Sequence, residues 1–171
     1  MTEILPLNQI PAAEVEQLLD AAFGADRHGR TAYKLRAGTT AIPALSFAAL
    51  DRGVLIGTLQ SWPVMLETPS GQRAPLTLVG PVAVSPAYQR GGIGRMLMAH
   101  MLAVADAGEA DALIMIGDPE YYGRFFGFTA DATNGWQLSG PVERHRLLAR
   151  IRRLGGVPKA GLIGPRLDPT A

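Results

Sequence analysis

The sequence predicts an α/β domain with a mixed sheet, and three observations predict it. A Val-rich apolar stretch runs into a glycine loop and then an amphipathic helix over residues 76–108. A second short apolar run, residues 112–117, follows that helix. Two pairs of apolar segments separated by turn residues lead into the unit. Strand–helix–strand gives parallel neighbours with a right-handed crossover. Tight turns give antiparallel ones, so both kinds of pairing are expected.

Residues 3–7 read as a first strand. Pro11 suits the first position of a helix. Val15, Leu18, Leu19, Ala22 and Phe23 then fall at i, i+3, i+4, i+7 and i+8, and Gly24 stops the run. Residues 26–30 form a polar loop, and residues 31–37 a second short helix ended by Gly38. Residues 45–50 read as a strand, Asp51-Arg52-Gly53 as a hairpin turn, and the stretch from Val54 toward Leu66 as its partner. Thr68-Pro69-Ser70-Gly71 marks the next turn.

The central strand carries Leu76, Leu78, Val79, Val82, Ala83 and Val84, a run suited to burial on both faces. Gly80-Pro81 interrupts it. Proline cannot donate to a ladder, so a bulge or a missing neighbour is expected there. A strand that parts from its neighbour leaves backbone groups for a ligand bearing amides. Gln89-Arg90-Gly91-Gly92-Ile93-Gly94-Arg95 follows. Glycines let a phosphate approach the backbone, and a helix start presents unpaired N–H groups and partial positive charge. Together these make an anion site. Ile93, Leu97, Met101 and Val104 stripe the helix, and Gly108 closes it. A Rossmann G-x-G-x-x-G fails because Gly94 is followed by Arg95, Met96 and Leu97. A Walker A loop fails because no Gly-Lys-Ser/Thr follows.

Gln89-Arg90-Gly91-Gly92-Ile93-Gly94 resembles the Q/R-x-x-G-x-G/A signature of the GNAT superfamily of N-acetyltransferases, and VAVSPAYQ before it looks like that family's fourth strand. The resemblance spans residues 78–128. It implies a GNAT-type mixed, mostly antiparallel sheet with helices on both faces, over a single domain at residues 1–155 with a Gly/Pro-rich tail at 156–171. It implies acetyl-CoA as acyl donor: Val82, Ala83 and Val84 meeting pantetheine through their backbones, and Gln89, Arg90, Gly91, Gly92, Ile93, Gly94 and Arg95 surrounding the pyrophosphate. The acceptor is then a small-molecule or protein amine.

Asp118-Pro119-Glu120 opens another short helix, with Asp118 as N-cap and Pro119 at the first position. YYGRFFGF resembles the family pattern in which a tyrosine precedes Gly-Phe. The family has three residues between tyrosine and glycine; here four separate Tyr122 from Gly127. By resemblance Tyr122 is the catalytic acid, with Tyr121 as substitute. A phenol of pKa near 10 is protonated at neutral pH and can serve a leaving thiolate. Packing of the ring in the core is the competing reading. Asp118, Glu120 and Glu67 are carboxylates near strand ends or turns, and none stands out as a base. Residues 136–138 read as a strand. Residues 143–153 read as the sheet's last strand, although Leu147, Leu148, Ile151 and Leu154 also suit a helix.

His28, His100 and His145 are scattered and show no metal-ligand spacing, so no metal is expected. Arg144, Arg146, Arg150, Arg152 and Arg153 read as a solvated basic face. The chain has 171 residues, 47% hydrophobic and 18% charged, which suits one domain with a proper core. A net charge of +1 implies no strong electrostatic pull toward nucleic acid or anionic membrane. Absence of cysteine excludes disulfides, thiolate metal sites and a cysteine nucleophile, but is compatible with direct transfer. No signal sequence or spanning segment is read, so the cytoplasm is the default location. A homodimer is left open. Two rival functions stand: a non-catalytic acyl-CoA-binding or regulatory module on the same fold, and a phosphate-binding enzyme using another nucleotide.

Overall fold

Apolar segments broken by glycine and proline become strands and helices largely where those breaks fall. The computed structural model describes residues 1–108, 110 and 112–167. The elements are β1 (Thr2–Pro6), α1 (Ala12–Phe23), α2 (Thr31–Leu35), β2 (Phe47–Asp51), β3 (Val54–Glu67), β4 (Arg73–Val84), α3 (Ile93–Ala107), β5 (Ala112–Ile116), α4 (Pro119–Phe126), β6 (Gly135–Leu138), β7 (Leu147–Ile151) and β8 (Ala160–Pro165), with short 3-10 turns between them. The eight-stranded sheet runs β1-β2-β3-β4-β5-β7, and β8 pairs with β3 and β6. Pairs β1–β2, β2–β3, β3–β8 and β5–β7 are antiparallel; β4–β5 and β6–β8 are parallel. The chain divides into two compact units: Met1–His28, Ala41–Ser61 and Gly80–Ala107 in the first, Gly29–Thr40, Trp62–Val79 and Gly108–Ala171 in the second.

In the first unit, α1 buries Val15, Leu18 and Leu19, the stripe its periodicity predicts. Pro11 is the N-cap rather than the first helical residue, and Gly24 ends the helix at φ 91°. Leu7, Val15, Leu19, Ala48 and Ala83 form one apolar cluster. Arg27 is buried, paired with Glu16 and, at 3.0 Å, with Asp20, one turn apart on α1. The predicted strand at 45 begins later, at Phe47, because Pro43–Leu45 is a 3-10 turn. Arg52 (φ 52°) and Gly53 (φ 80°) make the β2–β3 turn, a geometry whose twist matches the strands it joins.

Gly57 sets the opposite face of this unit. A Cβ there would lie 2.8 Å from Ile93 Cγ2, and 3.2 Å from both Leu97 Cδ1 and the Ala83 carbonyl oxygen. Only glycine lets α3 sit this close to the sheet. The helix buries Ile93, Leu97, Met98, Met101, Leu102 and Ala105, each large side chain contributing about 1.5–3 kcal/mol. Val104, placed on the stripe by its spacing, is half-buried at its border. Ala48 meets the α1 cluster while its neighbour Phe47 packs edge-on against His100 of α3. Alternation along β2 therefore puts helices on both faces.

The second unit has its own core, including Leu35, Leu66, Leu76, Ile114, Trp136 and Leu147. Trp136 is fully buried and donates from Nε1 to the Pro158 carbonyl at 3.0 Å. The strand reading of residues 143–153 holds for β7, but Arg144–Arg146 is a 3-10 turn. The expected tail from residue 156 is corrected: Ala160–Pro165 is β8, registered as Val64↔Pro165 through Glu67↔Leu162. Small residues make this pairing feasible, since a Cβ on Gly161 would stand 2.7 Å from the Glu67 carbonyl oxygen. Arg166 then donates to the carbonyls of Val64 (3.2 Å) and Leu76 (3.4 Å), and burial lowers its pKa. Residues 168–171 of the expected tail lie outside the described residues. Among the described residues, no helix is long and apolar enough to cross a membrane.

Candidate active site

The glycine loop lies wholly in the first unit. Ser85 leaves β4 by donating its N–H to the Ile56 carbonyl at 2.8 Å. A 3-10 turn, Pro86–Tyr88, follows, and the Gly91 N–H returns to the Tyr88 carbonyl at 3.0 Å. Tyr88 is braced from outside, its hydroxyl donating to Asp51 Oδ2 at 3.3 Å. The Gly92 carbonyl accepts from Met96 N at 3.0 Å, the helical bond that opens α3. The N–H groups of Gly92, Ile93 and Gly94 precede it and have no intrahelical acceptor.

The side chains clear the way for those amides. Gly92 takes φ 77°, and a Cβ there would meet nothing within 4 Å. A Cβ on Gly94 would stand 3.8 Å from both Val82 Cγ1 and Val84 Cγ2, in ordinary contact with the end of β4. Ile93 turns its side chain into the core, leaving only its backbone to the loop. Gln89, Arg90, Gly91, Gly92 and Arg95 are exposed, Val82, Val84 and Gly94 half-buried, and Ala83 buried. Helix-start amides, glycines without Cβ atoms and the exposed residues Arg90 and Arg95 are the kinds of group that suit an anion. A helix start alone contributes about 0.3–1 kcal/mol when exposed.

The break marked by Gly80-Pro81 is visible in the ladder. Among the described residues, β4 and β5 register only as Thr77↔Leu113 and Leu78↔Ile114. The pairing stops short of Gly80, whose peptide to Pro81 is cis.

Tyr122 belongs to α4 in the second unit. Asp118 caps this helix, accepting from the Glu120 N–H at 3.1 Å, and Gly127 ends it in the left-handed region at φ 77°. The Tyr122 ring covers Gly117, where a Cβ would lie 2.8 Å from Cδ2 and Cε2. It stands edge-on to Tyr121 at 4.9 Å and tilted against Phe126 at 6.3 Å. Burial raises its pKa above the ordinary 10.0; the neighbouring Tyr121 and Asp118 add to the rise and Arg146 opposes it. The phenol therefore stays protonated through neutral and mildly alkaline pH, which suits a proton donor and not a base. Of the carboxylates weighed as bases, Asp118 is occupied as a cap, Glu120 is exposed, and Glu67 lies 3.9 Å from Arg73 on the surface.

The basic run is not simply a solvated face. Arg144 donates from Nη1 to the Trp136 carbonyl (2.6 Å) and from Nη2 to those of Thr133 (2.7 Å) and Asn134 (3.0 Å), clamping the approach to β6. Arg146 Nε donates to the carbonyl of Gly117, the residue whose Cα side the Tyr122 ring covers, at 3.4 Å. His145 lies 3.4 Å from Glu143 on the surface. Among the described residues, no three His, Asp or Glu side chains are grouped to hold a metal ion. Sequence reasoning missed Gly57 and Gly117, although a lone glycine in or beside an apolar strand signals close approach by another group. It also passed over the polar residues Thr58 and Gln60 inside β3. Thr58 Oγ1 and Gln60 Oε1 are buried without a hydrogen-bond partner among the described residues.

Comparison with known proteins bears on this geometry. Residues 5–130 match the family model described as an acetyltransferase (GNAT) domain. A GNAT family N-acetyltransferase from Escherichia coli, solved in complex with CoA, is 25% identical at a TM-score of 0.70, covering 97% of this chain and 89% of that one. A GNAT family acetyltransferase from Brucella melitensis, solved with acetyl-CoA, is 26% identical at a TM-score of 0.71, covering 97% and 96%. A curated relative, an uncharacterized N-acetyltransferase from Streptomyces avermitilis, is 29% identical over 102 residues. That match takes in 58% of this chain and 24% of the relative, so the chain spans about a quarter of that protein's length.

Proposed function

The chain belongs to the GNAT superfamily of acetyltransferases, and from that premise we propose that it moves an acetyl group from acetyl-CoA directly to a primary amine. The observation that carries the reading is the glycine-lined start of α3, where the first amides have no intrahelical acceptor and neither Gly92 nor Gly94 carries a side chain, Gly94 lying beside Val82 and Val84 at the end of β4. Relatives of comparable fold are crystallised with CoA or acetyl-CoA, which supports the same donor here.

On this reading Gln89, Arg90, Gly91, Gly92, Ile93, Gly94 and Arg95 hold the diphosphate, through backbone amides and the two guanidinium groups. Val82, Ala83 and Val84 offer backbone groups to the amide-bearing arm. When bound, acetyl-CoA supplies a thioester carbonyl open to attack. A nitrogen–carbon bond forms, the carbon–sulfur bond breaks, one proton leaves the amine and one reaches the sulfur. Tyr122 supplies that second proton; its raised pKa keeps the phenol loaded at working pH. Tyr121 is the substitute donor. The acceptor is a small-molecule or protein amine rather than nucleic acid, given the net charge of +1, and the working compartment is the cytoplasm.

Thiol release from acetyl-CoA across a panel of primary amines tests the proposal. Release that depends on the amine supports it. Tight binding of acetyl-CoA with no turnover on any amine favours the second reading, a non-catalytic acyl-CoA-binding module. The four residues between Tyr122 and Gly127 are the observation on that side.

A further inference from the structure

Thr58 and Gln60 follow one another on β3 at the two-residue spacing that puts side chains on one face. Both belong to the first unit. Thr58 stands directly opposite Ala48, a member of the apolar α1 cluster. Thr58 is 0% exposed and Gln60 7%, and neither Thr58 Oγ1 nor Gln60 Oε1 has a hydrogen-bond partner among the described residues. Burying such atoms unpaired costs stability that valine or methionine at the same places would not. Unsatisfied polar groups of this kind call for a partner, and a bound ligand or an ordered water can supply it.

Their neighbours say which ligand. β3 and β4 are neighbours in the sheet joined by the short turn at residues 68–72, a connection that reverses the chain direction. The Ser85 N–H bonds the Ile56 carbonyl at 2.8 Å, and a Cβ on Gly57 would lie 3.2 Å from the Ala83 carbonyl oxygen. Moving from Gly57 to Gln60 on β3 therefore runs back along β4 from Ala83 toward Gly80. A donor held by its diphosphate at the start of α3, with its arm along Val84 to Val82, would extend the same way, so that its reactive end would point toward the stretch of β3 that carries Thr58 and Gln60.

We propose that Thr58 and Gln60 form the subsite for the attacking amine, an assignment that rests on the acetyltransferase reading above. Gln60 Oε1 accepts one N–H of the neutral amine and Thr58 Oγ1 accepts the other, which leaves the nitrogen lone pair for the thioester carbonyl. Two acceptors call for two N–H groups, so the subsite selects a primary amine over its N-methyl analogue. A secondary amine leaves one of the two buried oxygens unpaired.

Thr58→Val and Gln60→Met test this by thermal unfolding, acetyl-CoA titration, and steady-state kinetics with one primary amine found by the thiol-release screen and its N-methyl analogue. Each variant is expected to melt no lower than wild type and to bind acetyl-CoA within about twofold of it. The KM for the primary amine should rise about 3- to 10-fold, the loss of one hydrogen bond. Preference for the primary over the N-methyl amine should shrink toward parity. Variants that melt lower than wild type have lost a structural hydrogen bond, to protein or to a buried water, and overturn the proposal. Variants that keep wild-type KM and preference overturn it while leaving the acetyltransferase reading intact. A wild-type protein that binds acetyl-CoA and acetylates no amine overturns both.

Discussion

Gly92→Ala separates the cost of a strained backbone from the cost of a blocked anion site. Gly92 sits at φ 77° with open space where a Cβ would go. Alanine there pays the left-handed penalty, about 1–2 kcal/mol, and clashes with nothing in the folded chain. On the proposed reading its methyl group takes up open space at the loop that would hold the diphosphate. Gly53 is the matched control: φ 80°, again with open space within 4 Å of where a Cβ would stand, but in the β2–β3 turn. Gly53→Ala should carry the same stability cost without touching the loop. For a chain of this size each kcal/mol lowers the melting temperature by about 2–4 °C, so both variants should stay folded at room temperature and melt a few degrees early. One charge-assisted amide bond is worth about 1.5–3 kcal/mol, so Gly92→Ala should raise the Kd for CoA about 10- to 100-fold. Gly53→Ala should leave it within twofold. Calorimetric titration with CoA reads the affinities and differential scanning calorimetry the stabilities. Equal affinity in the two variants would refute the assignment of the α3 start as the diphosphate site.

Tyr122→Phe should lower kcat about 10²-fold or more while leaving the Kd for acetyl-CoA within twofold, read by rapid-mixing kinetics and titration; unchanged turnover would remove Tyr122 from the reaction. The same tyrosine makes a pH prediction. Its folded pKa is raised above 10.0, so stabilisation from the neutral phenol is complete below about pH 10 and is lost as pH climbs through the folded value. Melting temperature should therefore fall more steeply above pH 10 in wild type than in Tyr122→Phe. Gly57→Val should overpack the contact with Ile93 and Leu97, cost about 1–3 kcal/mol and weaken CoA binding by displacing the start of α3. Arg144→Ala removes three bonds to carbonyls from an exposed residue and should cost roughly 1 kcal/mol with no effect on CoA affinity, measured by the same two calorimetric assays.

Much of the first unit is legible because its signals are local. The period of Val15, Leu18 and Leu19 fixes the buried face of α1, Gly24 its end, and Arg52-Gly53 the β2–β3 turn. The glycine loop declares itself by residue type alone, since only glycine combines positive φ with open approach. Asp118 is readable as a cap for the same reason. What escapes depends on partners far away in the chain. The Gly- and Pro-bearing stretch of β8 looks like a tail until β3 supplies its ladder. Arg27 reads as a loop charge until Glu16 and Asp20, one turn apart, are seen to hold it in the interior. Arg144 reads as a solvated cation until three carbonyls converge on it. A cavity of about 650 Å³ in the second unit brings Thr129, Asn134, Arg150 and Lys159 together from separate stretches, and no local pattern marks it.

Backbone amide shifts in a CoA titration followed by heteronuclear NMR test the central claim most directly. The account predicts that the largest changes fall on Gly91, Gly92, Ile93 and Gly94, saturate together, and are reproduced in part by pyrophosphate alone. A spectrum in which those four amides hold still while CoA binds elsewhere would contradict it.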